Sequence, residues 1–221
     1  GFTITYEYGG NLYVNTTNRC NFNCNFCLRH NNSGGSIYTH NLWLEREPTR
    51  EEILADIESH DLSRYEQLCF VGFGEPSYRI EDICWVVDRM KEHGTKIYTR
   101  MDTNGTGSLL HGRDIAPEFA GRFDMVSISL NTDTAEKYDA LCNPVQEGAY
   151  EAMKTFAYPV FMTHGEKDGL VGMDDSVIFF KNAASKDKTL KVYGNLFHEI
   201  LNEYCKDDVI ADMIQWMDAR I

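Results

Sequence analysis

The sequence predicts an α/β protein with a parallel sheet and helical crossovers. Three observations predict it. Runs of strand length alternate with runs of helical pattern along most of the 221 residues. QLCFVGF (67–73) is continuously apolar, as a parallel strand covered on both faces is. The chemistry-bearing motifs all fall just after strands, where such folds gather their functional groups.

The elements follow in order. NLYVNTT (11–17) reads as a strand that ends at a cysteine-bearing loop. TREEILADIES (49–59) opens with a Thr cap and Glu in its first turn, which is a helix start. After the strand at 67–73, IEDICWVVDRMKEHG (80–94) is a helix with Gly94 at its end. KIYTRMDTNG (96–105) is a strand and turn, and residues 106–121 are a loop with a short helix. DMVSISLN (124–131) is a strand and TAEKYDALC (134–142) a helix. GAYEAMKTFA (148–157) is helical, PVFMTHG (159–165) a strand and DSVIFFKNAAS (175–185) a helix. KTLKVYG (188–194) is a strand and DDVIADMIQWMDARI (207–221) a helix. About six strands result, with no internal repeat and no low-complexity tract.

Composition narrows the class. Hydrophobic residues make up 43% and aromatics 12%, enough for a sizeable core. The net charge is −13. Such a field repels phosphate backbones and anionic membranes, which argues against nucleic acid as a partner. No run of about 18 apolar residues exists, so no transmembrane helix and no membrane partner is expected. GFTITYEYGG lacks the basic and apolar regions of a signal peptide, and a cytoplasmic location is the expectation.

The chain has seven cysteines, and Cys20, Cys24 and Cys27 lie within NRCNFNCNFCLRH in the pattern C-x3-C-x2-C. They are too close for a disulfide framework, and clustered thiols in a reducing compartment more often hold metal. A structural zinc takes four ligands. His30, Cys69 or Cys84 are the candidates for a fourth. Three thiolates in one loop suit three irons of a cubane cluster, which leaves the fourth iron open. Cys69, Cys84, Cys142 and Cys205 have no cluster-like spacing, so no second cluster is expected. Arg100, His93 and His164 are candidates to line a pocket, with a solvated or core role equally open.

Four motifs on successive strand ends resemble the radical SAM superfamily, whose enzymes use S-adenosylmethionine. They are the cysteine loop with Phe26 before its last cysteine, GFGEP (72–76), DTNG (102–105) and SISLN (127–131). Phe73 departs from the family's G-G-E-P pattern. LYVNTTNRCNFNCNFCLR, CFVGFGEPSYR and SISLNTDTAEKYDALCNP are most similar to small radical SAM proteins associated with TatD-type nucleases.

The resemblance implies a partial (β/α)6 barrel of TIM-like type, begun by residues 1–155. It implies a [4Fe–4S] cluster on Cys20, Cys24 and Cys27, with S-adenosylmethionine chelating the open iron. Gly72, Gly74, Glu75 and Pro76 would receive the methionine amino group, with a carboxylate pairing to an ammonium. Phe26, Asn104, Ser127, Ser129 and Asn131 would complete the cofactor site, the last three toward the ribose. A low-potential donor such as a flavodoxin or ferredoxin would supply one electron. The resulting 5′-deoxyadenosyl radical would then abstract hydrogen from an unknown substrate.

Residues 156–221 are similar instead to the end of an α/β-hydrolase of the monoacylglycerol-lipase type. In that family Asp168 would be the triad acid and His198 the triad base. No G-x-S-x-G elbow occurs in these 221 residues. A natural or engineered fusion, joined near residues 150–158, is therefore expected. In it the tail's strand-helix-strand-helix would complete the barrel's sheet, and a tail with its own sheet would refute that arrangement. A passive iron–sulfur module or scaffold and an esterase are the alternatives.

Overall fold

The computed structural model describes residues 2–31, 36–37, 40–132, 134–154, 159–169, 171–198, 200–201 and 203–220. The chain opens with a hairpin, β1 (Thr5–Tyr8) and β2 (Asn11–Asn15), which the sequence reading did not anticipate. Its turn is Gly9-Gly10 with φ of 57° and 83°, a left-handed pair that a two-residue hairpin loop demands. A short helix α1 (Leu28–Asn31) and a two-residue pair, β3 (Ser36–Ile37) with β4 (His40–Asn41), follow. Next come α2 (Arg50–Glu58), β5 (Gln67–Val71), α3 (Ile80–Glu92) and β6 (Tyr98–Thr103). Then follow α4 (Gly107–His111), β7 (Met125–Ile128) and α5 (Ala135–Cys142). The remainder is α6 (Ala149–Lys154), β8 (Val160–Gly165), α7 (Met173–Asn182), β9 (Lys188–Tyr193) and α8 (Lys206–Asp218).

The predicted α/β class holds, with a mostly parallel sheet and helical crossovers. The main sheet runs β1-β2-β5-β6-β7, and every pair in it except the hairpin is parallel. The sheet is open. Local signals place its helices. Thr49 caps α2 through the Glu52 amide while Glu52 returns to the Thr49 amide, a reciprocal capping box. Helix α3 stops at Glu92, and Gly94 (φ 81°) takes the left-handed turn that follows.

Strand periodicity divides the sheet into two unlike faces. Leu12, Val14, Leu68, Phe70 and Met101 face the helices and are fully buried with Ile53 and Ile57 of α2 and Ile80, Ile83 and Val86 of α3. Each large side chain so buried contributes about 1.5–3 kcal/mol. In register on the other face stand Tyr13, Cys69, Arg100, Asp102 and Ser127. That face is polar, unlike the covered one.

The described residues form two compact units, 1–129 with 142–149 and 130–141 with 150–221. Strands β8 and β9 belong to the second. They pair with each other in parallel over six positions and, among the described residues, with no strand of the main sheet. The expectation that the tail completes one six-stranded sheet is thus corrected. The reason is local sufficiency. The two strands satisfy each other's ladder, and Leu196, Ile200 and Val209 form a separate apolar cluster with Tyr193, Leu201 and Met213. The second unit also packs Tyr138 of α5 against Tyr150 and Met153 of α6. Residues 155–158, the end of the expected helix at 148–157 and of the expected junction, lie outside the described residues.

Candidate functional site

The site is built where β2 and β5 end. Asn15, fully buried, donates to the Leu42 carbonyl at 2.8 Å and accepts the Phe73 amide at 2.8 Å. Beyond the strands the two loops stay zipped. The Gly74 amide donates to the Thr17 carbonyl at 2.9 Å, and the Glu75 amide to the Arg19 carbonyl at 2.7 Å. This approach is why glycine stands at 74: a Cβ there would sit 2.0 Å from the Arg19 carbonyl oxygen. At Gly72 a Cβ would meet the Thr17 oxygen at 2.9 Å. Phe73, in the place of the usual second glycine, is buried edge-on against Trp43.

Glu75 is the hub. It is 3% exposed. Its Oε1 accepts the Ser77 amide at 3.0 Å and the Thr103 hydroxyl at 2.6 Å, and its Oε2 accepts the Asn104 amide at 2.8 Å. It thereby caps a short helical turn that Pro76 opens. Burial pushes its carboxyl above the usual range, against these donors. Asn104 extends the network: its side-chain amide donates to Asn21 in the cysteine loop at 2.9 Å. Asn21 in turn donates to Thr106 at 2.9 Å and to Gln146 at 3.1 Å.

The cysteine loop is held from outside itself. Arg19 forms a bidentate pair with Glu47 and lies over the Tyr78 ring. Segment 142–146 runs along the loop. The Asn23 amide donates to the Cys142 carbonyl at 3.1 Å, and the Val145 amide to the Asn21 carbonyl at 2.8 Å. Phe22 and Pro144 form an isolated bridge. The Cys27 amide closes a turn on the Cys24 carbonyl at 3.1 Å. Phe26 is 46% exposed, so it does not belong to the core.

Burial pushes the Cys20 thiol up to about 11. The Cys24 thiol is raised too, first by its hydrogen bond with Cys142 and then by burial. Among the described residues no group of three or more His, Cys, Asp or Glu side chains is closed onto a single metal position. In number and softness the three thiols fit an iron–sulfur cluster, since metal charge favours the thiolates that burial disfavours. The loop gathers them without drawing them together.

The other expected residues are placed as follows. Ser127 pairs with Asp102 across β6 and β7, and the exposed Ser129 donates its amide to the Thr103 carbonyl at 3.0 Å. Asn131 belongs to the second unit. Arg100 is buried in an ion pair with Asp102, Nε to Oδ1 2.8 Å, beside Gln67 and the Tyr13 hydroxyl. Burial raises the Asp102 carboxyl, with Arg100 opposing. His93 is a surface partner of Glu58, and buried His164 pairs with Ser176 at 2.9 Å. Sequence reading missed Asn21, Thr103 and the 142–146 clamp. Each lay at least partly inside a recognised stretch, Asn21 in the cysteine loop, Thr103 in DTNG and 142–144 at the end of SISLNTDTAEKYDALCNP, but none had been given a role.

In the second unit, Asp168 Oδ2 and His198 Nδ1 are 2.9 Å apart, with Asp168 at 5% side-chain exposure and His198 at 43%. The turns after β8 and β9 bring them together. The Lys167 amide donates to the Leu196 carbonyl, and a Cβ at Gly165 would lie 2.0 Å from the Phe197 oxygen.

The first unit is a cysteine-loop protein in which a glycine-rich loop and a buried glutamate brace the thiols from adjacent strand ends. The chain belongs to the radical SAM superfamily, whose sequence model matches residues 14–158. A model described as serine aminopeptidase, S33, matches residues 140–204. The GTP 3′,8-cyclase of Corynebacterium glutamicum is 34% identical over 140 residues, 59% of this chain and 33% of that protein. The monoacylglycerol lipase of Mycolicibacterium smegmatis is 37% identical over 63 residues, 28% of this chain and 22% of that protein. The caffeoylshikimate esterase of Arabidopsis thaliana is 33% identical over 66 residues, 28% of this chain and 20% of that protein. The chain thus spans a third of the cyclase and about a fifth of each hydrolase. It joins a radical SAM region to a hydrolase-like part. Among the described residues no helix is long and apolar enough to cross a membrane.

Proposed function

We propose that the chain is a radical SAM enzyme in which Cys20, Cys24 and Cys27 hold a [4Fe–4S] cluster whose open iron takes S-adenosylmethionine. One observation carries the reading. The cysteine loop is zipped at 2.7 and 2.9 Å to a glycine-rich loop on the next strand, and a buried glutamate sits at their junction. When bound, the cluster and S-adenosylmethionine supply a one-electron cleavage that yields a 5′-deoxyadenosyl radical for hydrogen abstraction.

The chain's residues do the positioning. Glu75 accepts two bonds on Oε1 and one on Oε2, so Oε2 keeps a lone pair for the methionine ammonium group. Gly72 and Gly74 let the backbone of the cysteine loop close onto this turn, and Pro76 fixes the turn behind Glu75. Asn104 links the glutamate to the cysteine loop. Ser127 and Ser129 address the ribose, and Phe26 stands in the cofactor loop just before its last cysteine. The substrate is an organic molecule with an abstractable hydrogen, and the electron donor is a flavodoxin or ferredoxin in the cytoplasm.

Acyl transfer is not proposed. An Asp–His pair lacks a nucleophile without a serine elbow, and none is present in these residues. The test is anaerobic reconstitution with iron and sulfide, followed by dithionite and S-adenosylmethionine. About four iron per chain and 5′-deoxyadenosine are expected. A full cluster that never yields 5′-deoxyadenosine would leave a passive iron–sulfur module, and zinc in place of iron would overturn the cluster. Any hydrolysis of a short nitrophenyl ester should survive Cys24→Ala if it is a true esterase activity.

A further inference from the structure

The clamp segment brings a fourth thiol to the cysteine loop. Cys142, the last residue of α5, is fully buried in reduced form. Four contacts fix its position. Its carbonyl accepts the Asn23 amide at 3.1 Å, and the next carbonyl, of Asn143, accepts the same amide at 3.2 Å. The Asn143 side chain donates to the Asn23 carbonyl at 3.2 Å and to Asn25 at 3.0 Å. Asn143 holds φ at 44°, a left-handed conformation that these bonds stabilise. The residues on both sides of Cys24 are therefore tied to Cys142 and its neighbour. The Cys24 and Cys142 thiols share a hydrogen bond. No separation in sequence suggests this pairing, since the two cysteines stand 118 positions apart.

We propose that Cys24 and Cys142 form a reversible disulfide in the cluster-free chain, so that oxidation removes one cluster ligand and locks the loop. The proposal rests on the reading of Cys20, Cys24 and Cys27 as cluster thiols. The oxidant is a small-molecule disulfide such as oxidised glutathione. Cys24 Sγ, the more accessible of the two, attacks one of its sulfurs and releases one glutathione thiol. Cys142 Sγ then attacks Cys24 Sγ and releases the second. One S–S bond is broken and one is made. Two thiol protons leave the protein, and the two electrons end on the glutathione sulfurs. A dithiol reverses both steps. While locked, Cys24 is withheld from iron and from irreversible oxidation to sulfinic acid. The competing partner is Cys27, which shares a C-x2-C turn with Cys24.

The experiment uses the full chain stripped of metal. It is treated with oxidised glutathione, alkylated, digested without reductant and mapped by mass spectrometry. The expected product links the peptide of Cys24 to that of Cys142, with the other five cysteines alkylated. Iron uptake on later reconstitution falls from about four per chain to near zero and returns after dithiothreitol. Cys142→Ser abolishes the linkage, and Cys142→Ala serves as a second variant, with a thermal melt confirming that each is folded. A dominant Cys24–Cys27 or Cys20–Cys24 link, or a Cys142 that is alkylated after oxidation, overturns the proposal. Iron content of the reduced chain is read separately. Its absence would overturn the cluster, while the mapped linkage still decides the thiol pair.

Discussion

Replacing Gly74 with alanine tests the contact on which the site depends. The added Cβ would lie 2.0 Å from the Arg19 carbonyl oxygen, 2.5 Å from its carbon and 2.7 Å from the Asn18 carbonyl carbon. All three are backbone atoms, which cannot rotate away as a side chain does. Ordinary contact of about 3.5 Å requires the two loops to part by more than about 1 Å. That separation breaks the Gly74–Thr17 and Glu75–Arg19 hydrogen bonds at 2.9 and 2.7 Å. Their loss costs about 1 kcal/mol each, and the overpacking about 1–3 kcal/mol more. The sum, about 3–5 kcal/mol, is a large share of the roughly 5–15 kcal/mol that stabilises a domain.

Urea unfolding measures the cost, with Gly169→Ala as control because nothing lies within 4 Å of that position. The same displacement moves Arg19, the residue before Cys20, so iron loading should fall with stability. A Gly74→Ala protein within about 0.5 kcal/mol of wild type, with full iron, would refute the reasoning.

Other perturbations probe separate links. Glu75→Gln turns one acceptor oxygen into a donor that faces another donor, and should destabilise by about 1–3 kcal/mol in urea unfolding. Asn21→Ala strands Thr106, Asn104 and Gln146 partners at a buried position and should cost about as much by the same measurement. Burial opposes ionisation of Glu47, but hydrogen bonds from Arg19 and Thr17 outweigh it and hold its pKa below 4.5. Its contribution is therefore present above about pH 4.5 and lost as pH falls through the lowered value. The stability gap between wild type and Glu47→Gln, about 0.5–1 kcal/mol at neutral pH, should close on acidification. Asp168→Asn and His198→Ala should leave 5′-deoxyadenosine formation unchanged, as measured by chromatography of the quenched reaction.

The sequence was informative where a local rule governs. The Thr49 cap with Glu52, the apolar run at 67–71 and Gly94 after α3 each act over a few residues, and each element formed where those signals stood. The strand-end loops were legible for the same reason, because Gly74 and Glu75 advertise a close approach and a buried carboxylate. What stayed hidden depends on distant partners. Asn21 and Gln146 look like ordinary loop residues until the fold brings them 3.1 Å apart across 125 positions. The separate sheet of β8 and β9 was hidden because strand periodicity does not say which strand a ladder will choose. Helical crossovers suit one parallel sheet or two equally well.

The two candidate sites differ in how their geometry arises, and this difference weighs on function. The Asp168–His198 contact follows from two adjacent turns. Once Lys167 binds Leu196 and Gly165 abuts Phe197, the pair meets whether or not a nucleophile is present. Such a dyad is a by-product of its β/α/β segment and does not by itself indicate acyl transfer. The cysteine loop is the reverse case. It is braced by Glu47, by Gly74 and Glu75, by Asn104 and Thr106, and by residues 142–146, which come from four separate stretches of chain. Turns alone would not converge these groups, and the burial of the Glu75 carboxyl opposes their assembly. An arrangement that holds together against that cost points to the thiols it surrounds as the part of this chain that carries chemistry.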